Sequence, residues 1–133
     1  MSRRKAREVA FKVMFQVDQI DADPKQAFDY LLEETSLAEK DKNFAWDLIN
    51  GCVSHLHDID NRINKYSSYW PIDRISAVDR SIMRIAGYEI MFIMPSQAVI
   101  AIDEAIEIAK RYGDENASSF INAVLDKILG EKA

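Results

Sequence analysis

Residues 98–113 read AVIAIDEAIEIAKRYG, and this stretch decides the fold class. Val99, Ile102, Ala105, Ile106 and Ala109 recur at steps of three and four, the period of a helix with one apolar face. Asp103, Glu104 and Glu107 fall opposite, as solubility requires. Lys110 and Arg111 suit the negative end of the helix dipole, and Gly113 is placed as a stop.

The same period extends outward from there. Downstream, Asn116 or Ser118 can cap a helix whose inward residues are Phe120, Ile121, Val124, Leu125 and Ile128, with Gly130 after it. Upstream, Asp73 or Ser76 opens an apolar helix through Val78, Ile82, Ile85, Ala86 and Ile90, which Pro95 ends. Before it, YSSYWPIDR (66–74) breaks the pattern, because the residue ahead of Pro71 is pushed out of helical geometry. That break is the expected joint between subdomains 1–70 and 71–133.

In the first half, Ser2 caps a helix with Ala6, Val9, Ala10, Val13, Met14, Val17 and Ile20 on one stripe. Asp23-Pro24 opens a second helix, with Ala27, Phe28, Leu31 and Leu32 inward. Ser36 opens a third that keeps its period nearly to Tyr66 despite Gly51, which would make it the longest. The expected fold is all-α: two small bundles packed into one domain, with six or seven helices. A length of 133 residues supports one core, and 4 Gly and 3 Pro are too few for a turn-rich β fold.

Composition narrows the function. Cys52 is the single cysteine, so no internal disulfide or cysteine-based zinc site is available, which suits the reducing cytoplasm. The most apolar stretch, IMRIAGYEIMFIM, holds Arg84 and Glu89 and is short of the roughly 20 residues of a membrane helix. No phosphate loop, nucleophile elbow or metalloprotease motif is present. His55 and His57 are two residues apart and face different directions on a helix, so a metal site there would need His55 with Asp58 and distant ligands. Glu33, Glu34, Asp103, Glu104 and Glu107 read as solvated helix faces. Glu89, inside an apolar helix, calls for an arginine from another element, and Arg84 is not at pairing spacing.

The charge is uneven. Formal net charge is −5, yet the chain opens MSRRKAREVAFK, with Arg3, Arg4, Lys5, Arg7 and Lys12 against Glu8. Cations at a helix start oppose the dipole, so a ligand is the better reason for them. Arginine predominates, the cluster is fused to a helix, and the rest of the chain would repel a polyanion. Nucleic acid is the natural partner, and the lack of a duplex-reading motif favours single-stranded RNA. Tyr66, Tyr69, Trp70, Tyr112 and Phe120 are the aromatic faces on offer, and GDENASS (113–119) leads into a helix N-terminus where amides can receive phosphate.

RRKAR (3–7), VDRSIMRIAGYEI (78–90), IDEAIEIAKRYG (102–113) and SSFINAVLDKIL (118–129), in this order, resemble the NusB family of transcription antitermination factors. The resemblance runs from Arg3 to about Leu129. It implies a non-catalytic, cofactor-free, cytoplasmic all-helical protein. Such a protein binds the single-stranded boxA element of ribosomal RNA transcripts with ribosomal protein NusE, and the pair joins an RNA polymerase antitermination complex. The resemblance also allows a homodimer. Carried over by motif, Arg3, Arg4, Lys5, Arg7, Tyr66, Tyr112, Asn116 and Phe120 form the RNA-binding set, and Asp79, Tyr88 and Glu89 face the protein partner. The other readings are a protein–protein adaptor and a stand-alone relative of the RNA-binding domain of ribosomal-RNA methyltransferases.

Overall fold

The computed structural model describes residues 2–67, 70–93 and 98–131, with the side chain of Ser2 excepted. Tyr69 and Pro95 lie outside these ranges, as does the proposed cap of Ser2. Seven α-helices fill the described residues: α1 (Ser2–Ile20), α2 (Pro24–Glu34), α3 (Glu39–Ser54), α4 (Leu56–Tyr66), α5 (Ala77–Phe92), α6 (Ala98–Tyr112) and α7 (Ala117–Gly130). A 3-10 turn, Ile72–Arg74, precedes α5.

Two starts follow the caps read from sequence. The Asp23 carboxylate accepts from Gln26 N–H at 3.0 Å with Pro24 at the first position of α2, and Ser76 Oγ accepts from Asp79 N–H at 3.2 Å. Others differ. α3 begins after Ala38 without a side-chain cap, and Gly130 is the last residue of α7. Gly113 keeps a negative φ; a Cβ there would stand 2.6 Å from Ala117 Cβ, so close approach of α6 to α7 explains it. In α6 the inward face is Ala98, Ala101, Ile102, Ala105, Ile108 and Ala109, while Val99 is 59% exposed. The stripe is rotated from the one read in sequence because alanines let neighbouring helices come near.

The expected long third helix is two helices. His55 leaves helical geometry at φ −115°, ψ 22°, ending α3 and starting α4. The bend redirects the chain: α3 packs on α1 and α5, whereas α4 packs on α5 and α7. α1 also packs on α2 and α5, joining the first helices to the α5–α6–α7 group. The exchange of α1 for α7 as a neighbour falls at His55. Among the described residues α1, at 19 residues, is the longest helix.

The core is aliphatic and continuous across both groups: Met14, Leu48, Ile49, Ile59, Ile63, Ile82, Met83, Ile90, Ile121, Leu125 and Ile128 are essentially inaccessible. Each such side chain contributes about 1.5–3 kcal/mol on burial. Cys52 belongs here too, its thiol pushed up to about 12 by burial, so it packs rather than reacts. Charge clamps the end of α1. Asp18 accepts from Arg80 Nε at 3.1 Å and Arg84 Nη1 at 3.0 Å, and Arg84 reaches on to Asp60 with two bonds of 2.8 Å. Arg80 also donates to the carbonyls of Ile72 and Ile75, which fixes the 3-10 turn to α5.

Candidate nucleic-acid interface

The four cations of RRKAR occupy two different environments. Arg3, Arg4 and Lys5 are exposed, but Arg7 is 4% exposed and faces α5. Its Nε and Nη2 donate to Glu89 Oε1 and Oε2, both at 2.8 Å. Here is the arginine that Glu89 required. That edge of the guanidinium is committed to Glu89, and both side chains are buried, Glu89 at 2% exposed. In this geometry the pair fixes the first turns of α1 onto α5 and so sets where the other three cations stand.

Those three are held differently. The Arg3 guanidinium lies 3.9 Å from the centroid of the Phe44 ring on α3, a cation–π contact that leaves its outer face open. Arg4 Nε donates to Glu104 on α6 at 2.8 Å, a bond that raises its pKa. Lys5 has no ion-pair partner among the described residues. One turn on, Arg111 Nη1 reaches Glu8 at 2.7 Å, so α1 and α6 are laced side by side. α1 has no acid in its first turn to offset its dipole.

A second locus lies beyond that seam. Tyr112 is 37% exposed, its ring 5.2 Å from Phe11 and 5.7 Å from Lys12 Nζ. Next to it Trp70, Arg74, Asp79, Asp114, Asn116 and Phe120 line an open hollow of about 400 Å³. Two of the residues assigned to RNA and one assigned to the protein partner are thus brought together. Burial, then the charge of Asp114, raises the pKa of Asp79 against the lowering effect of Ser76. Asp114 Oδ1 accepts from Asn116 N–H at 3.0 Å, so the chain's own carboxylate occupies the loop amide considered for a phosphate.

Tyr66 stands apart from the hollow. Its hydroxyl donates to Glu131 at the opposite end of α7, where Lys65, at 2.9 Å, and Arg62 converge as well. These bonds, Tyr66's first, hold the Glu131 carboxyl at about 2. Tyr88 is in a third place, half-buried between α3 and α5 with its ring across Gly51. Of the histidines, His55 stacks on Phe92 at 4.2 Å and His57 contacts the Asn61 amide at 3.2 Å. Among the described residues no three His, Cys, Asp or Glu side chains gather around one point, and no helix is long and apolar enough to cross a membrane.

Sequence reasoning overlooked Phe44, Lys12 and Arg74. Phe44 reads as core and is buried, yet one face of its ring carries Arg3. The available signal was the one-face spacing Phe44, Asp47, Gly51, His55, which only matters once α1 and α5 are known to flank it.

The profile of the NusB family matches residues 4–130. The transcription antitermination protein NusB of Syntrophomonas wolfei is 64% identical over 132 residues, covering 99% of this chain and 98% of that protein. The T. maritima NusB structure superposes with a TM-score of 0.88 at 40% identity, covering 98% of this chain and 92% of that one. A crystal structure of antitermination factors NusB and NusE in complex with dsRNA gives 0.90 at 28% identity, covering 98% and 97%. An all-helical fold with an arginine-bearing first helix, matched over nearly its whole length by these relatives, makes this chain a member of the NusB family.

Proposed function

We propose that the chain is a non-catalytic transcription antitermination factor of the cytoplasm. It binds boxA RNA of ribosomal RNA transcripts together with ribosomal protein NusE, and the pair joins the polymerase complex. One observation carries this reading: Arg3, Arg4 and Lys5 stand exposed on a helix start that the buried Arg7–Glu89 pair holds rigid, in a chain otherwise acidic. At the positive end of a dipole these charges work against the helix, and only Arg4 has an acid beside it. The Syntrophomonas wolfei relative is named a transcription antitermination protein, and a NusB was crystallised with NusE and dsRNA.

In this reading Arg3, Arg4 and Lys5 contact phosphates and Arg7 positions them. Tyr112, Asn116 and Phe120 extend the RNA surface into the hollow, where Asp79 meets the protein partner. Tyr66 serves as a helix-end tie. The test is a salt titration of affinity for a boxA-like strand, a scrambled strand and a duplex, each with and without NusE. For the preferred strand, log affinity should fall against log salt with a slope of about −2, from 0.7 per neutralised phosphate over three contacts. Replacing Arg3, Arg4 and Lys5 by Ala should flatten it. Salt-independent affinity, or an unchanged slope in the triple variant, removes the proposal.

A further inference from the structure

Apart from Tyr88, which the family resemblance assigns to the protein partner, the groove between α3 and α5 has no assigned role. It holds about 680 Å³ and begins at Arg3, so it continues directly from the cationic start of α1. Its wall is aromatic. The rings of His55, Tyr88 and Phe92 lie within 20–25° of parallel, with centroids 4.2 Å (His55 to Phe92) and 5.4 Å (Tyr88 to Phe92) apart, and Phe92 is 42% exposed. A Cβ on Gly51 would stand 2.1 Å from the Tyr88 ring, so only glycine lets that ring lie across the groove floor. Asp47 and Asn50, both exposed on α3, border the same groove.

We infer that this groove receives an unpaired guanine of the bound RNA, stacked on the Phe92–His55–Tyr88 wall, with Asp47 reading its base edge and Arg3 its phosphate. The inference rests on the RNA-binding function proposed above. The chemistry selects the base. A carboxylate accepts hydrogen bonds only, and guanine alone presents two adjacent donors, N1–H and the N2 amino group, on its Watson–Crick edge. Adenine and cytosine set a ring-nitrogen acceptor beside their amino group, and uracil flanks its one N–H with carbonyls; both arrangements push a lone pair toward Asp47. Asn50, three residues along the helix and so its surface neighbour, can donate its amide to guanine O6, next to N1. Phe92, 42% exposed, supplies a ring on which an unpaired base can stack, and Arg3, 3.9 Å from the Phe44 centroid, lines the same groove. The nearness of Asp47 to the Tyr88 phenol is consistent with this: after burial, its charge is the next cause of that hydroxyl's raised pKa.

The test uses the full chain and fluorescence anisotropy with three U-rich hexanucleotides, carrying one guanine, one inosine (which lacks the N2 amino group) or one adenine. The guanine strand should bind about tenfold tighter than the inosine strand, the effect of one charge-assisted hydrogen bond. Asp47→Asn should reduce that preference to within about twofold while leaving the adenine strand unaffected. Phe92→Ala should weaken the guanine strand by about tenfold through lost stacking. Asp47 is exposed, so Asp47→Asn should keep the wild-type Tm, whereas Phe92→Ala gives up its ring contacts with His55 and Tyr88 and its affinity is read well below its lowered Tm. Equal affinity for guanine and inosine strands overturns the inference, even if the Arg3, Arg4 and Lys5 variant still loses binding and the RNA function stands. So does a guanine preference that survives both substitutions. If Asp47→Asn or Phe92→Ala instead weakens NusE capture without RNA, the groove is a protein surface and the inference fails. Should no strand bind, with or without NusE, the function proposed above fails with it.

Discussion

The two ends of α1 treat charge in opposite ways. At its C-terminal end Asp18 is enclosed by Arg80 and Arg84, and every charge has a partner inside the protein. At its N-terminal end Arg3 and Lys5 have no acid beside them, Arg4 has one at the surface, and only Arg7 is satisfied within. Paired charge fastens the helix, and unpaired charge is what it offers to others. The lesson is that RRKAR is not one motif of four equal cations. It is three exposed charges, one of them paired at the surface, and one fastener.

The largest effect should come from removing that fastener. Glu89→Ala strands Arg7 in the core and should cost about 3–5 kcal/mol, read as a fall in the denaturant midpoint. RNA affinity at a temperature where the variant is still folded should fall too, although no RNA contact has been removed. A stability loss below 1 kcal/mol would show that Arg7 escapes to solvent and that the contrast between the two ends is weaker than drawn.

Asp18→Ala should cost less, about 1.5–3 kcal/mol, since the carboxylate is partly accessible. Its signature is pH dependence. Burial alone would raise the Asp18 pKa, but hydrogen bonds from Arg80, Gln19 and Arg84 outweigh it and hold the group at about 2. An unfolded aspartate titrates near 3.9, so the stabilisation is complete above about pH 4 and disappears as pH falls toward 2. Denaturant midpoints measured through that window should converge for wild type and Asp18→Asn. Parallel curves would mean that the clamp is not electrostatic.

Gly51→Ala should change stability by less than about 1 kcal/mol, because better helix propensity offsets displaced packing. Ring shifts of Tyr88 and His55 in NMR spectra should move nonetheless. Replacing Arg3, Arg4 and Lys5 by Ala together should be smallest of all in stability, within about 0.5 kcal/mol and on the favourable side, with RNA affinity lost. A marked destabilisation there would merge the two kinds of charge and break the comparison.

Periodicity made most of the fold legible. The α2 and α5 caps, the α7 core residues and the class itself rest on local rules, which the sequence states openly. The break at His55 was hidden because the apolar spacing from Phe44 to Ile63 continues in phase across it; what changes there is the exchange of α1 for α7 as a packing partner, a tertiary matter. The rotated stripe of α6 was hidden for a related reason, since alanine is weakly apolar in sequence but decisive where helices approach closely. At the interface the cluster was visible and its division was not. Arg3 and Arg7 sit one turn apart, and only the position of Glu89 on a distant helix decides which one turns inward.

α1 packs on α2, α3 and α5 alike, and this has a consequence for how the molecule comes apart. Neither group of helices can open without stripping its shared strut, so amide hydrogens in α3 and in α5 should exchange through one common event rather than in separate stages. A ligand gripping the leading turn of that strut would slow exchange in both, far from any atom it touches.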